Sequence, residues 1–294
     1  ADPRGAGAVI EASVGVPGAP LPALRPLLLR SLEAPDPIVR ASALTGLARL
    51  ADTTTLTEVL DAYERAAGDT LNDAVLASFE AMEALRTAGA PVSRSFFLRF
   101  RRSGDPLVRL RAAALFGDTA TTAWGPALPV ETGLEEADYL DVVRDLVLPS
   151  LAGRHPRARI VTESGAVDLR LYAADAPLTV MNFLGLADRG FFDGQEWPRV
   201  VPNFVVQGGD PRGDTSGGPG YAIRDEINRH PYGTGTLGMA LSGPDTGGSQ
   251  WFLTHSPQPH LDGGYTVFGQ VSDGMEAVDR VVVGAKIIRI VRLP

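Results

Sequence analysis

One arginine, two glutamines and two phenylalanines stand at fixed places in two short apolar segments. Arg199, Phe204 and Gln207 lie in WPRVVPNFVVQGGD (197–210), and Gln250 and Phe252 in GGSQWFLTH (247–255). An arginine keeps its charge at any physiological pH and offers a rigid fork of donors, so it can polarise a group without titrating. Amide side chains add neutral donors and acceptors. A phenylalanine alone in such a strand is ordinary core. Other chemistries find little support. His255, His260 and Asp262 in HSPQPHLD match no helical or zinc-ribbon ligand spacing, so no metal is expected. SGGPG (216–220) lacks the Gly-Lys-Ser/Thr of a phosphate loop, and its glycines serve turns. Ser249 lies in GGSQW, which is no nucleophile elbow. With no cysteine in the chain, thiolate catalysis, disulfides and Cys-ligated zinc are excluded.

Taken in order, Arg199, Phe204 and Gln207 with QGGDP, then GSQ followed by an aromatic and Phe252, resemble the cyclophilin family of peptidyl-prolyl cis/trans isomerases. The resemblance runs from about Arg159 to the C-terminus. It implies rotation about X-Pro amides, whose resonance sets a barrier of about 18 to 20 kcal/mol. No bond is made or broken and no cofactor is implied. An acceleration on the order of 10⁵ requires the twisted amide to be favoured over the planar one by about 7 kcal/mol. By resemblance, Arg199 is the catalytic arginine facing the proline. Phe204, Met239, Phe252 and Leu261 fall on the proline pocket. Gln207 and Gln250 hold the substrate backbone and orient the arginine, and Ala240 and Ser242 lie along the neighbouring wall.

Departures from the family pattern line the rim. Trp197-Pro198-Arg199 replaces Phe-His-Arg, Leu241 stands for the usual Asn, His260 for a Trp or Phe, and Tyr265 for a frequent His. They predict retained isomerase activity with a shifted sequence preference, and weak cyclosporin binding without an indole at His260. A second reading stays open: a non-catalytic scaffold that binds proline-containing segments.

The elements that must carry these residues follow from periodicity. From Arg159 it drops to two: a strand, a turn at Gly165, a second strand through Leu171, then a helix opened by Asp175 and Pro177. Further strands are expected at 197–201, 204–207, 222–225, 236–241, 250–254, 266–271 and 287–293, with a helix over 275–283. The expectation is a closed antiparallel eight-stranded β-barrel with two capping helices, as in cyclophilins.

Residues 21–118 instead place apolar residues at helical spacing. Helices are predicted over 21–32, 37–50, 56–67, 71–88, 93–102 and 106–116. DPIVRASALTGL from Asp36 matches DPLVRLRAAALF from Asp105, with a weaker copy from Asp69. These intervals of 33 and 36 residues resemble HEAT repeats, a helical solenoid fitted to bind a protein partner, although an Ala-rich helical bundle or a mere spacer would read similarly. Residues 1–20 read as an irregular opening. Residues 119–158 read as a linker holding a loop and one helix, 134–151, with Leu140, Val143 and Val147 on one face, a helix that packs between the domains or serves as a long helical linker. The isomerase-like domain is then 159–294.

The chain has 294 residues and a net charge of −8. Residues 1–158 carry 16 basic and 20 acidic side chains and residues 159–294 carry 11 and 15, so neither half presents the basic field that nucleic-acid binding needs. Expected partners are proline-containing peptides or unfolded protein clients. No stretch is apolar enough for a membrane span. The lack of cysteine and a start at Ala1 rather than Met lean toward an extracytoplasmic location, and Ala, Gly and Arg richness with a single lysine, Lys286, suggests a GC-rich bacterial source.

Overall fold

The computed structural model describes residues 9–10, 13, 21–69, 71–125 and 133–294. Most of the expected irregular opening, and residues 126–132 of the expected linker loop, lie outside the described residues. The chain forms two units, Ala1–Glu131 and Thr132–Pro294.

The first unit is helical: α1 Leu21–Ser31, α2 Pro37–Leu50, α3 Leu56–Ala66, α4 Asp73–Thr87, α5 Arg94–Phe97, α6 Pro106–Phe116 and α7 Asp118–Trp124. Asp36 caps α2 by accepting the Ile38 N–H at 2.8 Å, and Asp105 caps α6 by accepting that of Val108 at 2.9 Å. The middle copy is set differently from the sequence expectation. Its cap position is Asn72, three residues beyond Asp69, so Val39, Val75 and Val108 each stand three residues into a helix and each is buried. Asp69 instead pairs with Arg40 of the copy before it, and Asn72 donates to Asp105 of the copy after it at 2.7 Å. Arg40 and Arg109 each donate to the carbonyl six residues upstream, Ala34 and Ser103. TATTAW, expected as loop, belongs to α7, because Trp124 is buried against Phe97 with ring centroids 4.6 Å apart.

The second unit opens with α8 Glu136–Val142, a π-helical segment Val143–Val147 and α9 Leu148–Leu151. The wider π turn shifts the helix phase, so the inward face is not the expected one. Val142 and Ser150 are buried and Leu146 packs on the core, while Leu140 and Val143 are exposed. An antiparallel sheet follows, built from β1 Arg157–Thr162, β2 Gly165–Leu171, β3 Arg199–Val201, β4 Val205–Gly208, β5 Thr236–Met239, β6 Trp251–Thr254, β7 Val267–Asp273 and β8 Ile287–Leu293. Between them lie α10 Pro177–Asp188 and α11 Met275–Val278. Strand order is β3-β4-β6-β5-β7-β2-β1-β8.

That order corrects the closed barrel: β3 and β8 are edges with no ladder between them. Pro198 and Pro202 bracket β3 and supply no N–H, leaving three residues to pair. The gap is spanned just before both strands. There Glu196 and Lys286 form an isolated bridge, Trp197 N–H donates to Ala285 O at 3.0 Å, and Ile287 N–H donates to Gln195 O at 2.8 Å. The stretch expected as a strand at 222–225 likewise makes only the bridge Ile223–Gly247. Inside the curled sheet, Trp197 and Trp251 meet edge to face at 5.2 Å, joined by Phe183, Phe192 and Phe268. Glu226 fixes α10 by accepting the N–H groups of Leu178 and Thr179 at 3.0 and 2.7 Å.

Candidate active site

Directly opposed residues in an antiparallel ladder share a face. Arg199 on β3 opposes Gln207 on β4, Gln207 opposes Phe252 on β6, and Phe252 opposes Gly238 on β5. Four strands thus lay Arg199, Gln207, Phe252 and Gly238 in one row. The neighbouring row, Val206, Leu253 and Leu237, turns into the core, as does Trp251 on the same face of β6.

Polar contacts run along the first row. Arg199 Nη1 donates to Gln207 Oε1 at 3.3 Å, and Gln207 Nε2 donates to Gln250 Oε1 at 2.8 Å. Gln250 Nε2 donates to the Thr215 and Gly217 carbonyls at 2.9 and 2.7 Å. Among the described residues, Gln207 is the guanidinium's hydrogen-bond partner, so its other N–H groups keep their capacity to donate. The guanidinium carbon also sits 5.6 Å from the Phe204 ring centroid, a cation–π contact.

Beside the arginine lies an apolar cluster separate from the core: Val205, Tyr232, Phe252, Leu261 and Val267, with Phe204, Ala240 and Tyr265 packed on it. Phe252 stacks on Tyr232 at 5.5 Å and meets Tyr265 edge-on at 6.0 Å. Burial raises the pKa of the Tyr232 hydroxyl, which stays protonated and donates to Thr266 O at 3.3 Å. Gly238 is required beneath these rings, because a Cβ there would lie 2.4 Å from the Tyr232 oxygen and 2.5 Å from Phe252. His260, exposed, stacks on Phe204 at 5.6 Å.

The structure therefore brings together Arg199, Phe204, Gln207, Gln250, Phe252, Ala240, His260, Leu261 and Tyr265. It does not bring Met239 with them. Met239 opposes Trp251, shares that residue's face, and is buried in the core. Leu241 also packs toward the core, and Ser242 is exposed in a turn where its N–H donates to Thr246 Oγ1 at 2.9 Å. Val205, Tyr232 and Gly238 were missed by the sequence reading. Strand alternation from Gln207 would have found Val205, whereas Gly238 needed the β5–β6 register.

The two motif segments are locked to each other. Ser249 Oγ donates to Gly209 O at 2.6 Å, and Gly209, at φ +86°, passes so close that a Cβ would lie 2.1 Å from Ser249 O. The site combines a fixed cation, oriented amides and an apolar recess, and none of these groups needs to titrate to act.

A family profile described as "Cyclophilin type peptidyl-prolyl cis-trans isomerase/CLD" matches residues 157–287. A peptidyl-prolyl cis-trans isomerase of Synechococcus elongatus is 52% identical over 117 residues, 40% of this chain and 81% of that protein. Peptidyl-prolyl cis-trans isomerase B of Bacillus subtilis is 50% identical over 119 residues, 40% of this chain and 83% of its own length. A peptidyl-prolyl cis-trans isomerase of Helicobacter pylori is 44% identical over 131 residues, 43% of this chain and 80% of that protein. With its second unit carrying the profile match and most of each relative's length represented, this chain belongs to the cyclophilin-type peptidyl-prolyl cis-trans isomerases.

Proposed function

We propose that the second unit isomerises X-Pro bonds in peptides and unfolded protein clients, with Arg199 as the catalytic residue. The proline ring enters the recess of Phe204, Phe252 and Leu261. Val205 takes the place first given to Met239. A guanidinium N–H donates to the proline nitrogen as its lone pair emerges, an interaction available only to the twisted amide and therefore one that lowers the barrier. Gln250 orients Gln207, which holds the arginine through its oxygen and has one Nε2 hydrogen left for the flanking carbonyl. The observation that carries this reading is the Arg199–Gln207–Gln250 chain beside the Phe252 recess.

Removing one such donor typically costs roughly 10²–10³ in turnover. Arg199→Ala should show a loss of that size in a proline-peptide exchange assay while still binding the peptide. Undiminished turnover would sink the assignment of Arg199, and wild-type protein that binds without enhancing exchange would point to the proline-binding scaffold.

The helical unit is read as a HEAT-like platform for a protein partner. Support comes from helix starts that recur after Asp36, Asn72 and Asp105, the outer two capped by their carboxylates, and from the matching arginines Arg40 and Arg109.

A further inference from the structure

We infer that Asp210, which lies outside the proline pocket, is a positioning residue for Arg199; this rests on the role proposed for Arg199 above. Asp210 is buried, and its carboxylate is the centre of the loop after β4. Oδ1 accepts the Arg212 N–H at 2.8 Å, and Oδ2 accepts those of Asp214 and Thr215 at 2.8 and 2.6 Å. These bonds hold Thr215 in the left-handed region at φ 70°. Gly217 closes the loop, since a Cβ there would stand 2.1 Å from Asp210 Oδ1. What the loop presents outward is a pair of backbone carbonyls, Thr215 and Gly217, both aimed at Gln250 Nε2.

That pair sets a direction. A glutamine amide has one donor end and one acceptor end. With its NH₂ engaged by two carbonyls, Gln250 can offer Gln207 only its oxygen, and Gln207 can then offer Arg199 only its own oxygen. Arginine has donors and no acceptor, so only this polarity holds the guanidinium. Without the carbonyl pair, Gln250 can turn its NH₂ toward Gln207, which then turns its own toward Arg199, donor facing donor. The Ser249–Gly209 hydrogen bond keeps loop and β6 entry in step, so the loop's shape reaches Gln250 undamped.

Asp210→Asn keeps the side chain's size but places an NH₂ against backbone donors. Expected is a kcat lower by about tenfold with KM changed little, because the pocket itself is untouched, together with a shifted or broadened Arg199 Nε–Hε resonance. A purely structural role would lower the thermal midpoint and act independently of Arg199. A positioning role predicts that Asp210→Asn adds little once Arg199→Lys is present. Gln250→Glu, which cannot donate to the two carbonyls, is the second variant should Asp210→Asn fail to fold, and it should show the same kcat loss. Wild-type kcat with an unchanged Arg199 resonance in whichever variant folds, or full additivity with Arg199→Lys, overturns the inference. If Arg199→Ala itself keeps full turnover, the assignment of Arg199 has failed. If Arg199→Ala is impaired while Asp210→Asn and Gln250→Glu are fully active, only the positioning role has.

Discussion

In the proposed reaction Arg199 serves as a fixed charge, and its surroundings set how it is held. Its partner Gln207 and the Phe204 ring constrain it on two sides, leaving its other N–H groups able to donate. The recess floor depends on a residue with no side chain. At Gly238, any Cβ would collide with Tyr232 and Phe252, so Gly238→Ala should push the Phe252 ring into the pocket. Peptide affinity should fall about tenfold, with stability reduced by roughly 1–3 kcal/mol. Titrating a proline peptide by NMR checks this, and unchanged affinity would show that Phe252 does not form the floor.

At the scale of elements, the β1–β2 hairpin that begins the sheet carries a charge pair away from the site. The Arg159 side chain hydrogen-bonds Asp168 at 2.5 Å, and Arg157 lies 3.7 Å from the same carboxylate. The Arg159 hydrogen bond first, then the arginine charges, hold the Asp168 carboxyl below its ordinary value of 3.8. A carboxyl with a lowered folded pKa binds fewer protons folded than unfolded, so its stabilisation is complete above the ordinary value and lost as pH falls through the lowered one. Arg159 is half exposed, so solvent screening limits the effect. Thermal midpoints measured from pH 5 downward should fall more steeply for wild type than for Asp168→Asn. Parallel curves would assign the acid sensitivity to other carboxylates.

For the whole molecule, the segment Glu136–Leu151 packs with the isomerase unit through Val142 and Leu146, on α10 and the core. A fragment of residues 133–294 should isomerise short proline peptides at the full chain's rate, while losing any partner bound by the helical unit. A fragment of residues 155–294 uncovers those contacts. Each buried Val or Leu contributes about 1.5–3 kcal/mol, so its thermal midpoint should drop by roughly 5 °C or more. Equal midpoints would make the segment a linker, as the sequence alone suggested.

Local signals were enough to read much of this protein. The caps at Asp36 and Asp105, the switch from helical to alternating period near Arg159, and Arg199, Phe204, Gln207, Gln250 and Phe252 all depend on neighbours along the chain. What failed depended on partners far away in sequence. Met239 was set in the pocket although the β5–β6 register turns it to the core face with Trp251. The sheet stayed open at β3 because its pairing partner would have been β8, and two prolines leave it too few donors. The middle helix starts after Asn72 and has no side-chain cap, because Asp69 is held by Arg40 and Asn72 by Asp105, both in other repeats. The residue types of the WPRVVPNFVVQGGD segment thus determined the chemistry available. Only the tertiary structure decided which side chains share the recess and which way the amides beside Arg199 point, because both are set by register and loop shape rather than by adjacent residues.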